Sequence, residues 1–162
     1  MKSVIDLSEV IVDDWVRYDR FRPLGGVRRV LVNLEDLERY PRYFERSLFQ
    51  LGVELEAEDQ IDDIAGWLPR IDLISVNFGG FADGRPFSQA KLLRDRFGYR
   101  GDIRARGEVV RDQLSFMQRC GINQFCLAEG EDLELALAAF HDISESYQPV
   151  LIQLEIGQAA NG

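Results

Sequence analysis

Apolar residues follow two periods that alternate along the chain. From Val30 onward, short apolar runs are followed by polar turns and then by stretches with apolar residues three or four positions apart. The first pattern is typical of strands and the second of one face of a helix. The predicted strands cover residues 30–34, 53–57, 71–78, 102–106 and 122–127. Strands that alternate with helices predict an α/β fold with five βα units and a parallel sheet.

The helices are predicted from their apolar faces and from the residues that end them. The first begins at Pro41, carries Phe44, Leu48 and Leu51 on one face, and is closed by Gly52. The apolar positions of the later helices are Ile61, Ile64, Ala65 and Leu68, then Ala90, Leu93 and Phe97, then Val110, Leu114 and Met117, and finally Leu133, Ala136, Leu137, Phe140 and Ile143.

The two ends of the chain stand outside this pattern. Residues 1–22 predict an N-terminal β arm or hairpin, because apolar residues cluster there in short runs. Residues 150–156 predict a last strand, and residues 157–162 predict a frayed tail. No linker divides the chain, so we expect a single α/β domain over residues 1–162. A chain of this length can bury a core without a disulfide or a metal.

Polar residues alternate with apolar ones inside three of the predicted strands. The polar members are Glu54, Glu56, Ser75, Asn77, Arg104 and Arg106. A doubly wound sheet has helices on both faces and therefore strands that are apolar throughout. The alternation favours helices on one face only, as in a partial (β/α) barrel, whereas a flavodoxin-like doubly wound sheet is the alternative. In a partial barrel the polar face must be covered by the N-terminal arm, the C-terminal strand or a second subunit.

The net charge of the chain argues against two classes of binding partner. Nineteen basic and 28 acidic residues give a net charge of −9. Nucleic acids and membrane surfaces are polyanions, so neither is an expected partner. No apolar run approaches the length of a membrane span, and the first residues lack the features of a signal peptide, so we expect a cytoplasmic protein.

Cofactor and disulfide chemistry find little support in the composition. One histidine and two cysteines cannot supply the usual zinc ligand sets, so no metal site is expected. No cofactor motif is evident. Most of a predicted strand lies between Cys120 and Cys126, so the two cysteines are too far apart for a disulfide. We expect both to be reduced and unbridged.

Arginines in the middle of the chain are the main candidates for a binding site. Nine of the 19 basic residues lie within residues 81–119. Arg104 and Arg106 are two positions apart on a predicted strand, so they project to one face, about 7 Å apart. Like charges that are buried need partners. The expected partners are either an oxyanion, which suits the planar guanidinium, or carboxylates in an internal salt-bridge network. The carboxylates in reach of such a network are Glu54, Glu56, Glu108 and Asp112.

The loop over residues 77–85 follows the third predicted strand, at the strand end where ligands bind in α/β folds. Its glycines have two interpretations. They allow the backbone to approach a bound ligand closely, or they only provide residues that adopt positive φ angles. It matches neither the dinucleotide-binding nor the Walker motif. The candidate anion-binding residues are Arg104, Arg106, Asn77, Gly79, Gly80 and Arg85, and the candidate acidic partners are Asp83, Glu108 and Asp112.

The central block of the chain resembles a known family. Residues 83–94 fit the pattern DGR-x-x-S-x-A-x-x-LR, and residues 98–113 fit GY-x-G-x-x-RA-x-G-x-x-x-x-DQ. Both patterns are typical of the bacterial family designated domain of unknown function 934, whose N-terminal region is also similar to the segment from Asp13 to Trp15. The resemblance implies sulfur metabolism, with sulfite reductase or another sulfate-assimilation enzyme as the partner. It supplies no catalytic residue.

Three functions stay open at this stage. The favoured one is an accessory protein of assimilatory sulfate or sulfite reduction that binds a reductase or a sulfur oxyanion intermediate. The second is an enzyme acting on a small phosphorylated or sulfated substrate. The third is a ligand-free interaction domain. Whether the protein is an enzyme stays undecided, and a small anion and a second copy of the chain stay open as partners.

Overall fold

The computed structural model describes residues 3–7, 9–80 and 83–141. The predicted last strand, the predicted tail and the end of the last predicted helix lie outside these residues. The described strands are β1 (Ser3–Asp6), β2 (Glu9–Val12), β3 (Val16–Arg17), β4 (Arg29–Asn33), β5 (Gln50–Leu55), β6 (Ile71–Phe78), β7 (Asp102–Gly107) and β8 (Gln124–Phe125). They form one sheet in the order β2-β1-β8-β7-β6-β5-β4-β3.

Helical segments connect the parallel strands from β4 to β8, whereas residues 18–28 join β3 to β4 without a helix. The helical segments are α1 (Leu34–Arg39), α2 (Pro41–Arg46), a 3₁₀ helix (Ile61–Arg70), α3 (Arg85–Asp95), a 3₁₀ turn (Arg111–Gln113) and α4 (Leu114–Arg119). A further helix covers residues 133–141. α1 begins at Leu34 because the Asn33 side chain accepts a hydrogen bond from the Asp36 backbone N–H, which caps the first turn.

The mixed α/β class and the mostly parallel sheet agree with the prediction. Neighbouring strands from β3 to β8 are parallel, whereas β1 is antiparallel to both β2 and β8. The predicted N-terminal hairpin is therefore present as β1 and β2. The strands β4 to β8 follow one another in chain order. A flavodoxin-like sheet has the order 2-1-3-4-5, so this alternative is not supported.

The sheet curls into a half-barrel, and covalent geometry requires it to do so. Residues 13–15, which we call the strap, join β2 at one edge of the sheet to β3 at the other. An extended chain from Val12 to Val16 spans at most about 14 Å. The edges of a flat sheet of eight strands would be roughly 34 Å apart. The strap therefore crosses the concave face of a strongly curved sheet.

The two faces of the sheet have different compositions. On the convex face, apolar side chains of the strands pack against those of the helices, including Val53, Ile74, Val76, Ile103 and Phe125 from the strands and Leu37, Phe44, Ile64, Leu93 and Met117 from the helical segments. Burial of each large side chain stabilises the fold by about 1.5–3 kcal/mol. The concave face carries the polar members of the alternation, as the pattern favoured.

Strand register arranges the concave face in two rows. Glu54, Ser75, Arg104 and Gln124 lie side by side on β5, β6, β7 and β8. Two residues further along these strands, the second row contains Glu56, Asn77, Arg106 and Cys126, of which Asn77 and Arg106 are register partners. The second row lies at the carboxyl ends of the strands, where α/β folds bind ligands.

The prediction for residues 41–52 is wrong at its C-terminal half. The helix that begins at Pro41 ends at Arg46, Leu48 is fully exposed, and Leu51 and Gly52 belong to β5. β5 pairs with strands on both sides, and this long-range pairing outweighs the local helical spacing.

Other elements also differ from the prediction. The second predicted helix is a 3₁₀ helix that extends to Arg70, and the fifth strand contains only Gln124 and Phe125. β3 was not predicted, since two residues are too few for an apolar pattern. These differences leave the mixed α/β class and the mostly parallel sheet unchanged.

Candidate functional site

A cavity of about 870 Å³ opens on the concave face of the half-barrel. The strap forms one wall through Asp13 and Trp15, and the strands form the floor. The charged residues that line it are Arg17, Arg104, Arg106, Asp13, Glu54 and Glu129. Leu31, Ser75, Cys126 and Leu127 also line it. Three guanidinium groups and three carboxylates therefore face one space, so the positive charge is balanced within it.

Arg104 links the strap to the floor of the cavity. Its Nη1 lies 3.0 Å from Asp13 Oδ1, and its Nε donates to Gln124 Oε1 at 3.0 Å. Only 4% of its side chain is exposed. A buried guanidinium needs such partners, because desolvation of an unpaired charge would be strongly unfavourable. The Arg104 side chain therefore connects the strap to β8 and also places a positive charge beside the cavity.

Arg106 has both a carboxylate partner and a spare donor. Its Nη2 donates to Glu56 Oε1 at 2.7 Å and to the Leu55 carbonyl oxygen at 3.2 Å. Its buried Nε has no hydrogen-bond partner among the described residues and lies 3.9 Å from Glu54 Oε1, which is too long for a hydrogen bond. Arg17 Nη2 donates to that same Glu54 oxygen at 2.6 Å.

Glu56 is held in its ionised form. Burial acts to raise the pKa of its carboxyl group, but hydrogen bonds from Asn77 and Arg106 outweigh burial and hold the pKa below its ordinary value. The Asn77 amide donates to Glu56 Oε2 at 2.8 Å. Asn77 thus positions the carboxylate that pairs with Arg106.

Ser75 is the second unsatisfied donor of the cavity. Only 1% of the residue is exposed, and its Oγ has no hydrogen-bond partner in the part of the chain that the structure describes. It lies between Glu54 and Arg104 in the first row. A buried polar atom without a partner requires an explanation, and an acceptor atom in the cavity would supply one. Ser75 Oγ and Arg106 Nε could both donate to such an atom.

The other candidate residues lie away from the cavity. Gly79 and Gly80 follow β6 but do not line it, and residues 81 and 82 of the same loop lie outside the described residues. Arg85, whose side chain is 62% exposed, pairs with Asp83 at 2.9 Å at the start of α3. The structure therefore brings Arg104, Arg106 and Asn77 together, whereas Gly79, Gly80 and Arg85 do not line the cavity.

The acidic partners of the arginines differ from the prediction in part. Glu56 was among the carboxylates considered, and it pairs with Arg106. Glu108 and Asp112 are exposed, and within residues 3–7, 9–80 and 83–141 they form no ion pair with Arg104 or Arg106. Both follow β7 in the loop that leads to α4, whereas the arginine side chains point to the concave face.

The sequence analysis named the N-terminal arm as one possible cover of the polar face, but it did not identify which residues of the arm reach the cavity. Asp13 is 91 positions from Arg104, and nothing in the local pattern predicts this pair. Arg17 lies on the unpredicted β3. Ser75 was visible as a polar residue in an apolar strand, which is the one signal that could have identified it.

Metal-binding clusters and membrane-spanning helices can be sought only among the described residues. Among those residues, no group of three or more histidine, cysteine or acidic side chains is arranged to hold a metal ion. None of the helices there has the length and apolar character that crossing a bilayer requires.

Comparison with models of known protein families gives a match. The family described as "Bacterial protein of unknown function (DUF934)" matches residues 52–155. The matched region contains both arginines of β7 and Ser75, whereas the strap precedes it. No curated protein matches the chain.

Proposed function

The chain belongs to the DUF934 family, and we propose that it binds a sulfur oxyanion, or a small molecule carrying one, as an accessory protein of assimilatory sulfate or sulfite reduction. The observation that carries the anion site is a pair of donors that have no hydrogen-bond partner among the described residues, Ser75 Oγ and Arg106 Nε, in a cavity bordered by three guanidinium groups. The sulfur context comes from the sequence resemblance alone.

The donor set suits an oxyanion. Sulfite, sulfate and phosphate present several acceptor oxygens, and hydrogen bonds from a charged donor are stronger than those between neutral groups. One oxygen can accept from Arg106 Nε and another from Ser75 Oγ, while Arg104 supplies positive charge. Because Asp13, Glu54 and Glu56 already neutralise the arginines, we expect binding to depend on these spare donors rather than on net charge.

The size of the cavity favours a ligand larger than a bare anion. Small-molecule sites usually have volumes of about 300–1,000 Å³, and this cavity, at about 870 Å³, lies in that range. Trp15, Leu31 and Leu127 provide apolar surface beside the charged groups. A sulfated or phosphorylated small molecule would place its anionic group on the arginines and its remaining atoms against this surface.

Thermal unfolding tests the anion site. Sulfite, sulfate and phosphate should each raise Tm along a saturable curve, with chloride at equal ionic strength as the reference. At 100 times Kd the stabilisation is about 2.7 kcal/mol, which corresponds to roughly 5–10 °C for a chain of this size. Arg106→Gln and Ser75→Ala should reduce the shift.

Arg85→Gln is the matched control, because Arg85 is an exposed arginine in an ion pair outside the cavity. It should keep the full anion effect. Equal shifts in the wild type and Arg106→Gln, or no shift beyond that of chloride, would contradict the proposal. Copurification of sulfite reductase from cells grown on sulfate as the sole sulfur source tests the accessory role separately.

A ligand-free interaction domain is the second candidate, and the ion pairs favour it. Asp13 and Glu56 occupy part of the hydrogen-bonding capacity of Arg104 and Arg106. In that case Arg106→Gln should lower stability while the anions have no effect, so the same melting experiment separates the two candidates.

The proposal retains three finer expectations from the sequence. We interpret the region from β4 onward as five βα units of a partial (β/α) barrel, with the 3₁₀ helix in the place of the second helix. We also propose a cytoplasmic location and no resident cofactor. The location is testable by fractionation of cells that express the full chain.

A further inference from the structure

The cavity contains a thiol that the proposed function does not use. The backbone N–H of Cys126 donates to the Ala105 carbonyl oxygen at 2.9 Å, which continues the pairing of β8 with β7 by one residue. Cys126 therefore shares the concave face with Gln124, whose side chain accepts from Arg104. Cys126 is half-buried, lines the cavity and is the neighbour of Arg106 in the second row.

The other cysteine of the chain provides an internal comparison. Cys120 is only 8% exposed and packs in the core on the convex side, and burial raises the pKa of its thiol. Cys120 and Cys126 are the two cysteines of the chain, and neither is in a disulfide. The unbridged state agrees with the prediction from their spacing. The two thiols therefore differ in their access to solvent and in the charges near them.

Evidence for a ligand in the cavity that Cys126 lines comes from Ser75. Its hydroxyl is almost completely buried, borders the same cavity and has no partner among the described residues. The Arg104 guanidinium reaches toward β8, where its Nε donates to Gln124 Oε1, two residues before Cys126, whereas the Arg106 guanidinium reaches toward β5 and Glu56. A guanidinium near a thiol favours the thiolate, which is the nucleophile. Glu54 and Glu129 also line the cavity and act in the opposite direction.

We propose that Cys126 is a nucleophilic thiol that reacts with an anionic disulfide bound in the cavity. The inference rests on the proposed anion site for recognition of the ligand's charge. The Cys126 thiol first loses its proton to solvent. The thiolate then attacks the nearer sulfur of the ligand, and a new S–S bond forms as the S–S bond of the ligand breaks. The second ligand sulfur leaves as a thiolate with the electron pair, so Cys126 is oxidised to a mixed disulfide and half of the ligand is reduced.

Titration with 5,5′-dithiobis(2-nitrobenzoate), an anionic aromatic disulfide, tests which thiol reacts. The folded wild type should release one equivalent of thiolate rapidly and the second only after denaturation. Cys126→Ala should remove the rapid release, and Cys120→Ala should keep it. Mass spectrometry of labelled wild-type peptides identifies the site even if a variant folds poorly. Labelling of Cys120 first, or no rapid release at all, would overturn the inference.

Charge selectivity tests the role of the cavity. The rate with the anionic reagent is compared with that of 2,2′-dithiodipyridine, which is uncharged at neutral pH. Arg106→Gln should lower the rate with the anionic reagent at least tenfold and the rate with the uncharged one by less than threefold. Arg85→Gln should change neither rate, and sulfate should slow the anionic reagent in the wild type. Equal effects of Arg106→Gln on both reagents would contradict recognition by charge.

Cys126→Ala separates this inference from the proposed function. The variant should still show the increase in Tm with sulfate, since the anion site does not need the thiol. A normal sulfate shift together with an unreactive Cys126 would refute the thiol alone. Absence of the shift would refute the proposed anion site, whatever the thiol does.

Discussion

Two arginines act at opposite ends of β7. At the amino end, Arg94 of α3 reaches the loops that enter β7 and β8. Its Nε donates to the Gly121 carbonyl oxygen at 3.0 Å, and its Nη1 donates to those of Tyr99 and Gly101 at 2.8 and 2.7 Å. Its Nη2 donates to Asn123 Oδ1 at 3.3 Å. Burial lowers the pKa of this guanidinium.

At the carboxyl end, Arg106 is held by a carboxylate and keeps one donor unused. Every guanidinium nitrogen of Arg94 donates to a protein acceptor, in most cases a backbone carbonyl group, so none of them is left without an acceptor for a ligand to supply. In barrels of this type the amino ends of the strands serve stability and the carboxyl ends serve function. The difference suggests how to distinguish a structural arginine from a binding one: by its unused donors rather than by its burial.

The largest expected effect concerns Arg94. Arg94→Ala leaves three carbonyl oxygens without a donor, and we expect the free energy of unfolding to fall by about 3 kcal/mol. Arg94→Lys should recover only part of this loss, because one ammonium group cannot replace the planar fork. Urea unfolding measures both values. The anion-induced shift in Tm should persist in either Arg94 variant, provided that it folds.

Arg100→Ala is the control for Arg94, since Arg100 is an exposed arginine close to the same loops. Its effect should stay within about 0.5 kcal/mol. If Arg94→Ala lowered the free energy of unfolding no more than this control, Arg94 would not be a structural arginine, and its contrast with Arg106 would be wrong.

The next expected effect tests the packing of the strap. A Cβ at Gly52 would lie 2.8 Å from Leu31 Cδ1 and 2.9 Å from Trp15 Cζ3. Overpacking of this kind costs about 1–3 kcal/mol, so Gly52→Ala should destabilise the protein and change the fluorescence of Trp15. Unfolding curves followed by tryptophan fluorescence give both readouts.

Gly66→Ala is the matched control, because nothing lies within 4 Å of a Cβ at that position. It should be neutral or slightly stabilising. If Gly52→Ala behaved in the same way, the strap would not be held against the sheet by close packing, and its position would depend on the Asp13–Arg104 pair.

The strap also marks the limit of what the sequence predicts. The predicted strand 71–78 coincides with β6, and α3 lies where a helix was expected, because local period and tertiary burial agree there. The path of the strap depends instead on closure of the curved sheet, which joins residues far apart in the chain. Its contact between Asp13 and Arg104 has no local signature.

The candidate site, like the fold, was predictable only where its residues follow a local pattern. The two-residue spacing of Arg104 and Arg106 placed both on one face, as the register with Ser75 and Asn77 shows. The alternation of polar residues named Glu56 as one of four candidate partners, whereas the pairing of Asp13 with Arg104 and the unsatisfied state of Ser75 Oγ depend on tertiary distances that no spacing along the chain could identify. Leu48 illustrates the opposite error, in which a helical period predicted burial for a fully exposed residue.

The smallest expected effect concerns Glu56, the carboxylate that holds Arg106. Burial acts to raise its pKa, but the hydrogen bonds from Asn77 and Arg106 prevail, and the folded-state pKa lies below the ordinary value of 4.5. A group with a depressed pKa stabilises the fold above its unfolded-state pKa, and this stabilisation is lost as pH falls through the folded-state pKa. Half of the side chain is exposed, so solvent screening keeps the contribution under about 1 kcal/mol.

Unfolding free energies of the wild type and Glu56→Gln should therefore differ at pH 7 and converge as the pH falls below about 4. Glu38→Gln, on the exposed side of α1, is the matched control for the loss of a carboxylate. Glu56→Gln also releases Arg106 from its carboxylate partner, so at pH 7 it should strengthen sulfate binding while weakening the fold. A variant that lost stability without gaining affinity would indicate that Arg106, like Arg94, serves the fold alone.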